Sequence, residues 1–169
     1  LLLALTPVSS RPASREELLR CHHPRHLQLV EETSRGGGGM LDPDTYTNEF
    51  SYEAAVKVVG GLIDLVAAVL AGKLDNGFAL VRPPGHHATY SRAMGFCLLA
   101  NVALAARAAR FDYGLERVAI IDFDVHHGNG TQAILDEDPS ILFVSSHQYP
   151  YYPGTGALGE IGRGEAKGT

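Results

Sequence analysis

The stretch Val118-Ala119-Ile120-Ile121-Asp122-Phe123-Asp124-Val125-His126-His127-Gly128-Asn129 decides the fold. Val118 to Phe123 is β-branched and nearly all apolar, the pattern of a strand buried on both faces. Acids and histidines follow it at once. In α/β sheets, ligands bind beyond the carboxyl ends of the strands, so such an abrupt change marks a candidate site.

Working outward, Gly130 to Leu135 reads as a short helix and Ile141 to Ser145 as a second buried strand. Asn101 to Arg110 is an Ala-rich helix, and Phe78 to Val81 is a short apolar strand ended by Pro83-Pro84. From Tyr52 to Leu70 apolar residues recur at helical spacing (Ala55, Val58, Val59, Leu62, Ile63, Val66, Val69, Leu70), with Gly72 as the stop. Gly60-Gly61 weakens that helix and permits close packing. Gly36 to Gly39, continued by Asp42-Pro43-Asp44-Thr45, reads as a flexible loop. A helix is expected around His26 to Glu32, and Ser14-Arg15-Glu16-Glu17 has capping-box spacing for one more. The glycines from Gly154 to Gly168 read as a loop. Strands alternating with helices predict an α/β domain with a parallel sheet.

The chain has 169 residues, 45% of them hydrophobic and 20% charged, enough for one domain with a real core. A net charge of −5 without a basic cluster argues against a nucleic-acid partner. Cys21 and Cys97 are too few for a disulfide framework or a cysteine zinc site, so a reducing compartment is expected: the cytoplasm, or the nucleus in a eukaryote. Leu1 to Leu5 lacks the basic flank and the apolar length of a secretory signal, and no stretch approaches the ~20 apolar residues of a membrane span.

Three strand ends carry polar residues: Arg82-Pro83-Pro84-Gly85-His86-His87, Asp122 to Asn129, and Ser145-Ser146-His147. They hold five of the eight histidines. Along an extended segment Asp122, Asp124 and His126 fall on one face. Carboxylate and neutral imidazole suit zinc, so Asp124 and His126 are candidate metal ligands, with Asp122 better placed to hold a neighbouring group. A lone His or Asp here would be read as part of a capped turn. Two acids and two histidines within six residues of a strand end favour a site instead. His86 and His87 suit proton transfer near neutral pH, and Asp122 and Asn129 could fix their tautomers.

The segments Arg82 to Ala88, Met94-Gly95-Phe96-Cys97, Asn101-Val102-Ala103 and Asp122 to Gln132 resemble the histone deacetylase family. The form is that of class II enzymes, acetylpolyamine amidohydrolases and bacterial relatives. Asp42 to Thr45, Ser145 to Gln148 and Tyr152 to Gly156 extend the likeness over about Asp42 to Gly162. The resemblance implies a three-layer, arginase/deacetylase-like fold and zinc-dependent removal of acetyl groups. It implies that Asp124 and His126 ligate zinc and that His86 and His87 form the dyad, His87 being the general base and acid. Asp122 would orient His86, and Asn129 would face His87. Gly95, Phe96 and Tyr152 would line an acyl-lysine tunnel, with Asp44 or Asp42 at its rim; Tyr152 stands where the family usually has Phe. A structural potassium ion would sit on backbone oxygens of Asp122, Asp124, His126 and Ser145. Arginase-like metallohydrolases, the rival reading, place an Asp for a second metal where this chain has Gly128, so one metal is expected.

A catalytic zinc needs three protein ligands, and the matching motifs supply two. The third, an Asp, and the residue that polarises the amide carbonyl lie further along in the family. The chain is therefore expected to be an incomplete deacetylase domain, inactive alone. Expected substrates are an acetyl-lysine peptide, an acetylated polyamine or another small acetylated amine. A non-catalytic module binding acyl ligands, and a purely structural role for the histidines, are the alternatives from other classes.

Overall fold

A computed structural model describes residues 5–168; the leucine-rich opening lies outside them as far as Ala4. In chain order the elements are α1 (Arg15–Leu19), α2 (Pro24–Arg35), β1 (Gly38–Asp42), β2 (Thr45–Asn48), α3 (Ser51–Leu70), α4 (Asn101–Phe111), β3 (Val118–Asp122), α5 (Asn129–Leu135) and β4 (Ile141–Ser145), with a short 3₁₀ turn at Gly164–Ala166. The fold is α/β, as expected. β3 and β4 pair in parallel from Val118↔Ile141 to Asp122↔Ser145, with α5 in the crossover.

Local chemistry explains most boundaries. Ser14 and Glu17 form the reciprocal capping box of α1. Pro24 opens α2, whose N-cap His23 accepts from Arg25 N. α3 buries Ala55, Val59 and Ile63 against the Ala-rich face of α4 (Ala103, Leu104, Ala108). Leu18, Leu27, Val30 and Leu99 continue the core, and Ile120 and Ile141 join it from the sheet.

Three expectations need correction. The loop expected over Gly36 to Gly39 and Asp42 to Thr45 is reduced to turns at Gly36-Gly37 and Pro43-Asp44: β1 and β2 make an antiparallel hairpin with a register shift between Met40 and Asp42. Thr47 Oγ1 donates to Gly39 O and accepts from Gly39 N, while Thr45 and Thr47 are fully buried, so the hairpin is held by polar β-branched residues where an apolar pattern was sought. Phe78 to Val81 forms no strand among the described residues; Phe78 and Leu80 are 86% and 91% exposed. β3 and β4 are not buried on both faces. Ile120 and Ile141 are covered, whereas Ile121 is 70% exposed and Leu142 and Val144 are exposed beside it. An apolar run records that a strand is suited to cover on both sides, and here the described residues cover one. Among those residues no helix is long and apolar enough to cross a membrane.

Two contacts tie the N-terminal segment to this frame. Ala13 N donates to Val56 O (2.9 Å), and Arg11 O lies 2.0 Å from where a Cβ on Gly60 would stand. The expected close packing is thus at Gly60, while a Cβ on Gly61 would meet only the side chain and Cα of Ser10. His22, fully buried, bridges Thr89 O through Nδ1 (3.0 Å) and accepts from Ala100 N at Nε2 (2.9 Å); His26 Nε2 donates to Leu98 O (2.9 Å). Burial, reinforced by His26, pushes the His22 pKa down to about 3.

Gly60→Ala is expected to cost about 1–3 kcal/mol by overpacking. In Gly61→Ala, a helix-propensity gain of about 1 kcal/mol offsets the milder crowding. Urea midpoints distinguish the two. The depressed His22 pKa also carries a pH dependence. The unfolded chain takes up a proton below the ordinary value of 6.5, and the folded chain resists until about 3. Stability is therefore full above that range and is lost as pH falls through it. His22→Gln should flatten this loss in unfolding curves between about pH 7 and about pH 4.

Candidate active site

β3 ends at Asp122, and the alternation expected beyond it arises by another route. Asp122 Oδ1 accepts from Asp124 N (3.1 Å), and Asp124 Oδ1 accepts from His126 N (2.8 Å). Each carboxylate caps the amide two residues on, an Asx-type turn, so the segment descends in steps. Asp122 stays largely buried, while the side chains of Asp124 and His126 are 49% and 40% exposed.

The His86–His87 segment is fastened to this motif through the main chain and both side chains. α5 has no side-chain cap; instead Gly130 N and Thr131 N donate to His86 O (2.9 and 3.1 Å). A Cβ on Gly130 would stand 2.3 Å from Ala88 O, so only glycine allows this approach. His86 Nδ1 donates to Asp122 Oδ2 at 2.9 Å, and His87 Nδ1 donates to Asn129 Oδ1 at 2.8 Å. The Asn129 amide is oriented by its other end, since Nδ2 lies 3.5 Å from Met94 Sδ and a thioether can only accept. Both rings therefore carry their proton on Nδ1 and keep Nε2 as a lone-pair site. The rings lie 4.0 Å apart. Burial holds the His87 pKa below its ordinary value, partly opposed by the bond to Asn129. His87 is thus a neutral base at pH 7.

The other expected site residues gather around this dyad. The ring of Tyr152 stands edge-on to His87 (5.0 Å) and to His126 (5.9 Å). Gly95, at φ +56°, packs on His87 so tightly that a Cβ would fall 2.2 Å from the ring. Phe96 is exposed beside it, and Asp44 lies behind both, accepting from Gly95 N (3.1 Å). Asp42 is paired with Arg92 (2.6 Å). Of the residues expected around potassium, Asp122 and Ser145 are ladder partners at the ends of β3 and β4.

His126 Nδ1 lies 3.2 Å from Asp124 Oδ1. Two ligands at zinc bond lengths in a tetrahedron sit about 3.3 Å apart, so this carboxylate–imidazole pair fits two corners of a zinc site. Among the described residues no group of three His, Cys, Asp or Glu side chains is poised to hold a metal.

A second polar network was not read from the sequence. Buried His127 engages Thr155 Oγ1 at Nδ1 and Gln132 Oε1 at Nε2, both at 2.8 Å. Gln132 Nε2 donates to Glu160 Oε2, whose other oxygen accepts from Gly156 N and Ala157 N. His147, the third strand-end histidine, does not face the dyad; it bonds Ser145 Oγ and Gly156 O and lies against His127. This network pins the glycine-rich loop that carries Tyr152. The signal available was His127, the second histidine of the Asp122 to Asn129 motif, left without a task.

The sequence profile of the histone deacetylase domain matches residues 2–169. Histone deacetylase 15 of Arabidopsis thaliana is 44% identical over 165 residues, covering 96% of this chain and 30% of that protein. A histone deacetylase-like amidohydrolase of Pseudomonas aeruginosa is 45% identical over 161 residues, covering 95% of this chain and 42% of its own. In structure, the chain matches the crystal structure of the HDA15 HD domain with a TM-score of 0.94 at 42% identity, over 97% of this chain and 48% of that one. The arginase/deacetylase-like fold class follows. The chain spans half or less of the length of these relatives.

Replacing Asn129 by Asp puts a negative charge on His87 Nδ1–H and favours the imidazolium. The His87 resonance in an NMR titration should move to a higher midpoint in Asn129→Asp; a midpoint unchanged or lowered would contradict the pairing described.

Proposed function

The chain belongs to the histone deacetylase family, and from that premise we propose that the protein hydrolyses the amide of an acetylated amine, with Asp124 and His126 as two ligands of a single zinc ion. The observation that supports this most directly is the dyad: two adjacent imidazoles, each with Nδ1 on an oxygen acceptor and Nε2 free, set beside a carboxylate–imidazole pair at zinc-ligand spacing. Zinc bound there would polarise the amide carbonyl and lower the pKa of its water.

The chain's own groups supply the proton transfers. His87 Nε2 takes a proton from the attacking water as its oxygen bonds to the carbonyl carbon. The imidazolium so formed is held by Asn129. It then gives the proton to the amine nitrogen as the C–N bond breaks, leaving acetate and a protonated amine. His86 keeps its orientation and electrostatic balance through Asp122. Gly95, Phe96 and Tyr152 would line a slot for an unbranched alkyl chain with an acetylated end, as in acetyl-lysine or an acetylpolyamine. A potassium ion on the carbonyls at the ends of β3 and β4 would brace the strand carrying Asp122. With two of the three ligands a catalytic zinc needs, the 169 residues alone are expected to be inactive.

The test is turnover of an acetyl-lysine peptide and of acetylputrescine by the complete protein. Turnover should disappear with a chelator and return with zinc. His87→Ala should lower kcat/KM about 10²–10⁴-fold with the fold intact by circular dichroism. Asp124→Ala should abolish stoichiometric zinc. Full activity in either variant would sink the assignment.

A further inference from the structure

We propose that Asp44 and Thr45, at the turn of the β1–β2 hairpin, clamp the two walls of the slot against each other and set its width. Asp44 then acts on the substrate only through those walls. This inference rests on the deacetylase reading.

The first wall is a strained turn. Gly95 and Phe96 adopt left-handed φ values of +56° and +65° in succession. For a bulky residue such as Phe96 that conformation is strained and persists only where neighbours hold it. The holders are Asp44 and Thr45. Asp44 Oδ1 accepts from Gly95 N (3.1 Å) and from Thr45 Oγ1 (2.8 Å), and Thr45 Oγ1 accepts from Phe96 N (3.1 Å). Thr45 is fully buried, so its hydroxyl is committed to this relay. The second wall is Tyr152. Its hydroxyl faces the Asp44 carboxylate. One carboxylate thus faces both walls, and the ring of Tyr152 and the backbone of Gly95 bracket His87 between them. The hairpin is itself anchored, since Asp42 on β1 is bound by Arg92 and Ser34 Oγ on α2 donates to Asn48 O on β2.

A contact with substrate and a clamp on the walls predict different results. A rim carboxylate recognising the backbone of a peptide would matter for an acetyl-lysine peptide and not for acetylputrescine, which has no flanking amides. A clamp matters equally for both. The experiment measures kcat/KM for both substrates, and amide hydrogen exchange over residues 94–97, in the complete protein and in Asp44→Ala, Asp44→Asn, Thr45→Val and Tyr152→Phe. Asp44→Ala and Thr45→Val should lower kcat/KM on the two substrates by the same factor, up to about 10²-fold. Both should speed exchange at Gly95 and Phe96 while α3 stays protected. Asp44→Asn, which keeps an acceptor for Gly95 N, should recover much of the loss. Tyr152→Phe should be non-additive with Asp44→Ala. A loss confined to the peptide, or unchanged exchange at residues 95 and 96, would overturn the clamp. If the wild-type protein turns over neither substrate, the deacetylase reading fails, and the exchange measurement still decides whether the clamp exists.

Discussion

The carbonyl of His86 against the first amides of α5 is the joint on which the site depends. A short helix without a capping side chain leaves its leading N–H groups unsatisfied. Here those of Gly130 and Thr131 are met by the main chain of the very segment that carries the two histidines. The bond fixes the distance between two stretches more than forty residues apart in sequence. Once it is made, Asp122 and Asn129 fall within hydrogen-bond range of His86 and His87. The glycines around the joint are there for space: side chains at Gly128 or Gly130 would occupy the positions of Asp122 Oδ2 and Ala88 O.

What was legible in the sequence followed from how local each signal is. The capping box of α1 and the apolar period of α3 are satisfied within a turn or two, so they survive any tertiary context. The histidine and aspartate motifs were legible as a site because such groups rarely concentrate at a strand end without a task. The hairpin was hidden because its buried residues, Thr45 and Thr47, are polar and its first strand is glycine-rich. Phe78 to Val81 misled for the opposite reason: an apolar run declares a need for partners, and partners are a property of the rest of the fold. The stepped turns at Asp122 and Asp124 advance two residues at a time without strand geometry, a local hydrogen-bonding device that the expectation of an extended segment did not foresee.

Burial alone does not separate structural from functional histidines here. His22, His26, His87 and His127 are all buried and all held below the ordinary imidazole pKa by that burial. The difference is in the ring nitrogens. His22 and His127 spend both on protein partners and have none left for a proton in transit. His26 donates from Nε2 and, among the described residues, leaves Nδ1 buried without a partner, an uncompensated cost away from the cleft. His86 and His87 each commit one nitrogen to an oxygen acceptor and keep the other. That division, with the second nitrogen beside the Asp124–His126 pair and not sealed in the core as in His26, suits an acid–base group.

The same reasoning bears on the number of metal ions. Arginase-like sites place an Asp two residues beyond the histidine ligand, where it helps hold a second metal; this chain has Gly128 there. The absence of a ligand is only half of the matter. A Cβ at position 128 would stand 2.3 Å from Asp122 Oδ2, the oxygen that accepts from His86. An Asp at that position could be accommodated only by displacing Asp122, and His86 would then lose the partner that fixes its tautomer. A second metal ligand and an oriented dyad therefore compete for one volume. Under the proposed deacetylase reading, a chain that keeps the dyad would hold a single metal and leave the proton to histidine.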